Sequence, residues 1–189
     1  MGFPDTAGKV IAGSRGRRIA RMRAAVLRET GSPLTVEDVE LAEPGAGEVT
    51  VRIAASGVCH SDWNVISGAT PNPLPVVLGH EGAGVVEALG PDVTDVAEGD
   101  HVILSWLPSC GRCFYCVEGR GVLCDVAMAD MFAGTLPGGR LALSQNGTAL
   151  YHYSYLSTFA ERCVVPASCC VPIRKDASLE VAALVGCAV

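Results

Sequence analysis

The sequence is poor in charged and aromatic residues: Asp, Glu, Lys and Arg make up 18% of its 189 residues, and Phe, Trp and Tyr 5%. Acidic residues outnumber basic ones, and the net charge of −6 argues against nucleic-acid binding. No apolar run approaches the roughly 20 residues of a membrane-spanning helix. The apolar stretch of a secretory signal is also missing. We therefore expect a cytoplasmic globular protein with no nucleic-acid or membrane partner.

Cysteine is abundant, with nine residues. Without an export signal, such cysteines are interpreted as metal ligands or reduced thiols before disulfides. Four of them, Cys110, Cys113, Cys116 and Cys124, follow the pattern C-x2-C-x2-C-x7-C. Four thiolates at this spacing can surround one tetrahedral ion and leave no position for a substrate, which predicts a structural zinc site. An iron–sulfur cluster is the alternative, but its fourth cysteine normally comes sooner and precedes proline.

The pattern of short apolar segments predicts a mainly β protein. Strand-like stretches are "MRAAVL", "LTVEDVEL", "EVTVRIAAS", "GAGVVEALG", "DHVILSW", "FAERCVVP" and "CCVPI". In the third of these, Val49, Val51, Ile53 and Ala55 alternate on one face. Residues 125–158 are expected to be mostly loop, and "DASLEVAALVG" a helix capped by Asp176 or Ser178. Many strands with Gly/Pro turns and little helix favour a partly open barrel or a sandwich.

A second group of candidate ligands is scattered along the chain: Cys59 in "SGVCHSDW", His80 in "VLGHEGAGVV" and Cys187 in "LVGCAV". Two thiolates and one imidazole leave a fourth position open on a zinc ion. This is the arrangement of a catalytic zinc site.

The segments "GVCHSD", "GHEGAGVV", "GDHV", "CGRCFYC", "STFAE" and "GC" carry a family resemblance. In order and spacing, the chain from Met22 to Val189 resembles the zinc-dependent medium-chain alcohol dehydrogenases. The resemblance implies an α+β, mainly β catalytic domain: a GroES-like, partly open barrel with a four-cysteine zinc lobe. In that family, a Rossmann domain that binds NAD(P) follows.

The resemblance also implies two zinc ions per chain. Cys59, His80 and Cys187 match the catalytic zinc ligands, and the four clustered cysteines match the structural site. Glu81 matches an acidic residue thought able to approach the metal during ligand exchange. Asp62 matches the carboxylate that fixes the His80 ring.

Three further residues match positions with a role in the reaction. Ser61 matches the hydroxyl that takes the proton from the alcohol, while zinc acts as a Lewis acid and the nicotinamide accepts hydride. His60 matches a basic position at the cofactor pyrophosphate, and Trp106 a large aromatic residue of the substrate pocket. The implied reaction is oxidation of a small-molecule alcohol to an aldehyde or ketone.

The sequence ends two residues after Cys187 and contains no G-x-G-x-x-G after a strand. We therefore expect an N-terminal fragment of a longer enzyme, inactive alone, that forms a homo-oligomer when full length. The expected organisation is an Arg-rich extension over residues 1–21 and a catalytic domain over residues 22–175. Its zinc lobe lies at about 105–128, and residues 176–189 form a helix leading into the absent cofactor domain. The extension is interpreted as a disordered segment or as the result of an upstream start codon, and a transit peptide is the alternative.

Two other functions stay open. One is a dehydrogenase of the same superfamily that acts on the thiol adduct of formaldehyde. The other is a non-catalytic, orphaned zinc-binding domain. Outside the candidate sites, we expect His152 in a loop and Cys163, Cys169 and Cys170 as buried, inert thiols.

Overall fold

The computed structural model describes residues 19–189. The expected extension over residues 1–21 therefore lies almost entirely outside the described residues. The first strand begins at Ile19, shortly before Met22, where the folded chain was expected to start.

Residues 19–189 form ten strands and four α-helices, with three short 3-10 helices between them. The strands are β1 (Ile19–Leu27), β2 (Thr35–Ala42), β3 (Glu48–Gly57), β4 (Val76–Val77), β5 (Glu81–Leu89), β6 (His101–Leu104), β7 (Leu143–Gln145), β8 (Thr148–His152), β9 (Arg162–Pro166) and β10 (Cys170–Ile173). The helices are α1 (His60–Ser67), α2 (Phe114–Val117), α3 (Asp125–Phe132) and α4 (Leu179–Leu184). The mainly β prediction is thus confirmed, and no helix in this part of the chain is long and apolar enough to cross a membrane.

The strands form two sheets. Five of them close into a barrel in the order β1-β2-β7-β8-β4, so the barrel is complete where a partly open one was expected. The other five form a sheet in the order β10-β6-β5-β3-β9. Met22, Ala24 and Val26 alternate inward along β1 and are at most 3% exposed, as the two-residue period of a strand requires.

The alternation predicted for β3 is not seen in its first half, because Glu48 and Thr50 are buried as well as Val49 and Val51. Val49 and Val51 are fully buried, whereas Ile53 and Ala55 are only half-buried. The pairing of β3 with β5 shifts register between Ile53 and Ala55. Such an irregularity bends the strand, so the residues after it face a different direction from those before it.

The expectation that residues 125–158 are mostly loop is wrong. This stretch contains α3, β7 and β8. The elements are short, and Ala127 is the buried residue of α3, so the apolar periodicity that would reveal them is weak. The expected helix at the end of the chain is confirmed as α4, and Ser178 is its N-cap.

The expectation that His152 lies in a loop is also wrong, because it ends β8 and is 1% exposed. Its Nε2 accepts a hydrogen bond from the Ala142 N–H at 3.1 Å, and its Nδ1 lies 3.5 Å from the Ser157 hydroxyl. Burial, together with the charge of Arg140, lowers the pKa of His152 to about 3. The histidine is therefore a neutral core residue.

The three remaining cysteines are buried, as predicted: Cys163, Cys169 and Cys170. Burial raises the pKa of each thiol, to about 12 for Cys170. These thiols stay protonated near neutral pH and are poor nucleophiles.

The second sheet brings three strand ends together. Gly57, at the end of β3, pairs with Glu81, at the start of β5. Gly82 in turn pairs with Leu104, at the end of β6. Because these strands are antiparallel, the segments that follow β3, precede β5 and follow β6 meet at one end of the sheet. Those segments carry Cys59, His80 and Trp106.

Candidate metal centres and cleft

Cys59 is the N-cap of α1, a helix the sequence did not predict. Its Sγ accepts a hydrogen bond from the Ser61 N–H at 3.5 Å, while the Cys59 N–H donates to Asp62 Oδ2 at 3.1 Å. The bond from the Cys59 N–H to Asp62 is one half of a capping box, in which the Cys59 thiol replaces the usual hydroxyl. The N–H donor of Ser61 lowers the pKa of Cys59, because it stabilises the thiolate.

Asp62 connects α1 to the turn before β5. Its buried carboxylate also accepts hydrogen bonds from the Gly79 N–H, at 3.0 Å, and from His80, with Oδ1 3.3 Å from Nδ1. Since Nδ1 faces Asp62, Nε2 is the nitrogen left for a metal. Burial opposes protonation of His80, but the hydrogen bonds and charges of Asp62 and Cys59 together outweigh burial and raise its pKa. The groups around His80 therefore favour a positive charge at its imidazole.

Gly79 gives the turn its shape. Its φ is +93°, a conformation that favours glycine. A Cβ atom here would lie 2.5 Å from Thr158 Oγ1 and 2.6 Å from the Phe159 backbone nitrogen. The close approach of residues 158 and 159 thus requires glycine directly before His80.

Cys187, near the end of the chain, lies beside Cys59 and His80. Helix α4 packs Ala182 and Ala183 against Ala83 of β5, and Cys187 follows this helix. The donor atoms of Cys59, His80, Glu81 and Cys187 all lie within 4.8 Å of one another, with Cys59 Sγ and Cys187 Sγ 3.8 Å apart. Two sulfur ligands about 2.3 Å from a tetrahedral zinc ion would be separated by roughly 3.8 Å. The residues present therefore fit such an ion.

A cleft of about 160 Å³ opens over these ligands. Ser61 and Trp106, both predicted site residues, line it together with His80 and Cys187. His60 is exposed and is not among the described residues that line the cleft.

Sequence reasoning missed three large side chains of the cleft: Met131, Phe132 and Tyr153. The first two belong to α3, within the stretch expected to be loop. Tyr153 lies in the segment "YHYSY", in which the histidine is the more obvious candidate. The Tyr153 ring packs edge-on against His80 with centroids 5.5 Å apart, and burial raises the pKa of Tyr153 to about 12.

The other four predicted ligands, Cys110, Cys113, Cys116 and Cys124, form a second cluster, with donor atoms within 4.8 Å of one another. The Sγ atoms of Cys110 and Cys116, and those of Cys113 and Cys124, are 3.9 Å apart. This distance again matches the edge of a tetrahedral zinc–sulfur site, roughly 3.8 Å.

Backbone N–H groups point at the sulfurs of this cluster. Cys110 N–H donates to Cys124 Sγ and Cys113 N–H to Cys110 Sγ, each at 3.4 Å, and Ala127 N–H reaches Cys124 Sγ at 3.5 Å. Burial raises the pKa of Cys124, but the donors of Ala127 and Cys110 outweigh burial and lower it to about 6. This lowered pKa favours the thiolate of Cys124, the form of cysteine that binds zinc.

Comparison with known proteins shows the family and the fold of the chain. Residues 45–175 match the family described as "Alcohol dehydrogenase GroES-like domain". The chain is 44% identical over 173 residues to alcohol dehydrogenase class-3 of Drosophila melanogaster, covering 91% of this chain and 46% of the relative. It is also 44% identical over 170 residues to S-(hydroxymethyl)glutathione dehydrogenase of Synechocystis, covering 89% of this chain and 46% of the relative.

Solved structures show the same similarity. An alcohol dehydrogenase zinc-binding domain protein from Burkholderia ambifaria superposes with a TM-score of 0.85 at 40% identity, covering 90% of this chain and 46% of that one. Benzyl alcohol dehydrogenase from Acinetobacter calcoaceticus gives a TM-score of 0.81 at 34% identity, covering 89% and 45%.

A closed β barrel, a second sheet and two clusters of metal-binding side chains define a mainly β, metal-binding domain. More particularly, the chain belongs to the alcohol dehydrogenase GroES-like domain family. It spans about half the length of the curated relatives it matches.

Proposed function

We propose that this chain is the catalytic domain of a zinc-dependent alcohol dehydrogenase, which oxidises an alcohol to an aldehyde or ketone with NAD(P). The observation that carries the proposal is the meeting of Cys59, His80 and Cys187 beside a cleft that His80 and Cys187 line. Three ligands of this kind leave one zinc position for a substrate oxygen. The similarity of the chain to dehydrogenases in sequence and structure supports the same interpretation.

The chain's own residues would prepare the substrate hydroxyl. Zinc, when bound, supplies a Lewis acid that lowers the pKa of that hydroxyl. Ser61 lines the cleft, and its Oγ lies 3.6 Å from Cys59 Sγ, so it is placed to accept the hydroxyl proton. Asp62 holds the His80 ring through Nδ1. Glu81 is buried beside the ligands and can approach the metal when a ligand exchanges.

The nicotinamide cofactor would accept the hydride and bind mainly outside this chain. The curated relatives are about twice as long as the match, which leaves room in them for a further domain. His60 is exposed at the start of α1, where an approaching cofactor phosphate can reach it. Trp106, Met131 and Phe132 would surround the organic part of the alcohol.

The four-cysteine cluster is proposed as a structural zinc site. Its four sulfurs would fill the coordination sphere, so no substrate position would remain. Cys110, Cys113 and Cys116 are only half-buried, and the apolar side chains of Phe114 and Val117 in the same lobe are 70% and 71% exposed. Zinc would supply the cross-links that hold it.

A formaldehyde–thiol adduct is the second candidate substrate, because class-3 and S-(hydroxymethyl)glutathione dehydrogenases are 44% identical to the chain. Glutathione carries two carboxylates and an ammonium group, which need polar or charged partners when buried. The described residues that line the cleft include no Asp, Glu, Lys or Arg. We therefore favour an uncharged alcohol.

Cytoplasmic location and homo-oligomerisation of the longer protein are also proposed. Two sets of closely spaced free cysteines are compatible with a reducing compartment.

The proposal is tested with the complete gene product, whose intact mass is measured first. The protein is then assayed for reduction of NAD⁺ and NADP⁺ with benzyl alcohol, ethanol, and formaldehyde with and without glutathione. We expect the wild-type protein to turn over an alcohol and the Cys59→Ser variant to show no turnover. Turnover only with formaldehyde and glutathione would select the second candidate. A product of only 189 residues that binds zinc but no cofactor would instead support the non-catalytic, orphaned zinc-binding domain.

A further inference from the structure

Tyr153 touches two separate parts of the candidate metal centre. Its hydroxyl donates a hydrogen bond to the backbone carbonyl of Ser61, at 3.3 Å, in the first turn of α1. Its ring meets the His80 ring edge-on, with an interplanar angle of 80°. One side chain from the segment directly after β8 thus contacts both α1, the helix capped by Cys59, and the imidazole of His80.

The backbone of Tyr153 is itself held by a tight turn. The Tyr153 N–H donates to the Ser157 hydroxyl at 3.0 Å, and the Tyr153 carbonyl accepts from the N–H groups of Leu156 and Ser157 at 3.0 and 3.2 Å. Ser157 and Leu156 are each at most 1% exposed. A side chain anchored in this way can hold its neighbours in place, because its own position is fixed by buried contacts.

We propose that Tyr153 is a positioning residue that fixes His80 and the Cys59–Ser61 turn relative to each other. This inference rests on the proposed metal centre. Asp62 ties the same two segments through hydrogen bonds to Cys59, Gly79 and His80. Tyr153 adds contacts from a third segment. Packing of its ring restrains rotation of the imidazole, and the hydrogen bond from its hydroxyl restrains movement of α1.

The two contacts can be separated by substitution. Tyr153→Phe keeps the ring against His80 and removes the bond to the Ser61 carbonyl. Tyr153→Leu removes both. Tyr155→Phe is a matched control, because the Tyr155 hydroxyl also donates to a backbone carbonyl, that of Ala127, but Tyr155 is not among the described residues that line the cleft.

The test uses Co²⁺, whose visible absorption reports the geometry of a site with sulfur and nitrogen ligands. The metal-free chain is titrated with Co²⁺, and the spectrum of a Cys59→Ser variant is subtracted so that only this centre contributes. Thermal unfolding of each variant is measured in parallel to confirm that it folds.

We expect Tyr153→Leu to weaken Co²⁺ binding at this centre about tenfold, a loss typical of changes around metal ligands, and to shift its visible bands. Tyr153→Phe should shift the bands with a smaller loss of affinity, and Tyr155→Phe should leave the spectrum unchanged. Wild-type spectra and affinities in both Tyr153 variants would overturn the role of Tyr153 alone. Absence of any difference between the wild-type chain and Cys59→Ser would overturn the metal centre as well.

Discussion

The sulfur atoms of Cys59 and Cys187 lie 3.8 Å apart, although 128 positions separate the two residues. Cys59 caps α1 at the end of β3, and Cys187 follows α4. A shared metal ion would therefore link the last helix of the chain to the sheet on which it packs.

We predict that metal loss at this centre loosens α4. The helix has six residues, too few to be stable alone, and Val181 and Leu184 are 67% and 44% exposed. Hydrogen exchange in residues 179–187 should be faster in Cys59→Ala than in the zinc-loaded chain, while β1 keeps its protection. Equal exchange in both proteins would show that α4 is held without the metal.

We predict that the two clusters respond differently to loss of one cysteine. Cys113→Ala should lower the melting temperature and solubility of the chain, because apolar packing in the lobe is sparse and Phe114 and Val117 are about 70% exposed. Cys59→Ala should leave the barrel folded and remove turnover in the complete enzyme. Circular dichroism melts and limited proteolysis measure the first effect. If both variants were as stable and active as the wild-type protein, the division into structural and catalytic sites would be wrong.

We predict that Gly79→Ala destabilises the chain and displaces His80. The positive φ costs alanine about 1 kcal/mol, and the clash with Thr158 and Phe159 should add about 2 kcal/mol. Gly47→Ala is the matched control, since Gly47 has φ +72° but no atom within 4 Å of the place that an added Cβ would take. Urea unfolding should show a loss of about 1 kcal/mol for the control and about 3 kcal/mol for Gly79→Ala. Equal losses would contradict the close packing of this turn.

We predict that buried His152 makes stability fall as the pH is lowered. Its pKa is about 3 in the folded chain and 6.5 ordinarily, so between these values the unfolded chain binds the extra proton. Stability is thus fully present above pH 6.5 and falls by up to about 1.4 kcal/mol per pH unit below it.

The measurement compares urea unfolding of the wild-type chain and His152→Gln at several values between about pH 7 and about pH 5, which lies above most carboxylate pKa values. Glutamine can still accept the Ala142 N–H. The difference in unfolding free energy between the two proteins should shrink by about 2 kcal/mol as the pH falls over this range. A difference that does not change with pH would mean that the pKa of His152 is the same in the folded and the unfolded chain.

Much of the fold could be predicted from local sequence patterns. Strand β1 alternates clearly, and "DASLEVAALVG" carries its own cap at Ser178. Elements α1, α3 and β7 could not be recognised in this way. They are short, and α1 is capped by a thiol, so neither the usual capping residues nor a long apolar stripe indicates them.

The ligands were predictable for a different reason. Short cysteine spacing indicates Cys110, Cys113, Cys116 and Cys124 as candidate ligands directly, because residues close in sequence can reach one ion. Cys59, His80 and Cys187 meet through sheet pairing, and the family resemblance identified them. Tyr153 has neither signal: its contacts with Ser61 and His80 depend on how the barrel and the second sheet pack together.

Anomalous diffraction from crystals of the protein, recorded on both sides of the zinc absorption edge, tests the central claim most directly. The account predicts two zinc peaks per chain, one among the four clustered cysteines. The other should lie about 2.3 Å from the sulfurs of Cys59 and Cys187 and about 2.0 Å from His80 Nε2. A zinc peak confined to the lobe, with Cys59 and Cys187 unliganded in zinc-saturated protein, would contradict the proposed catalytic centre.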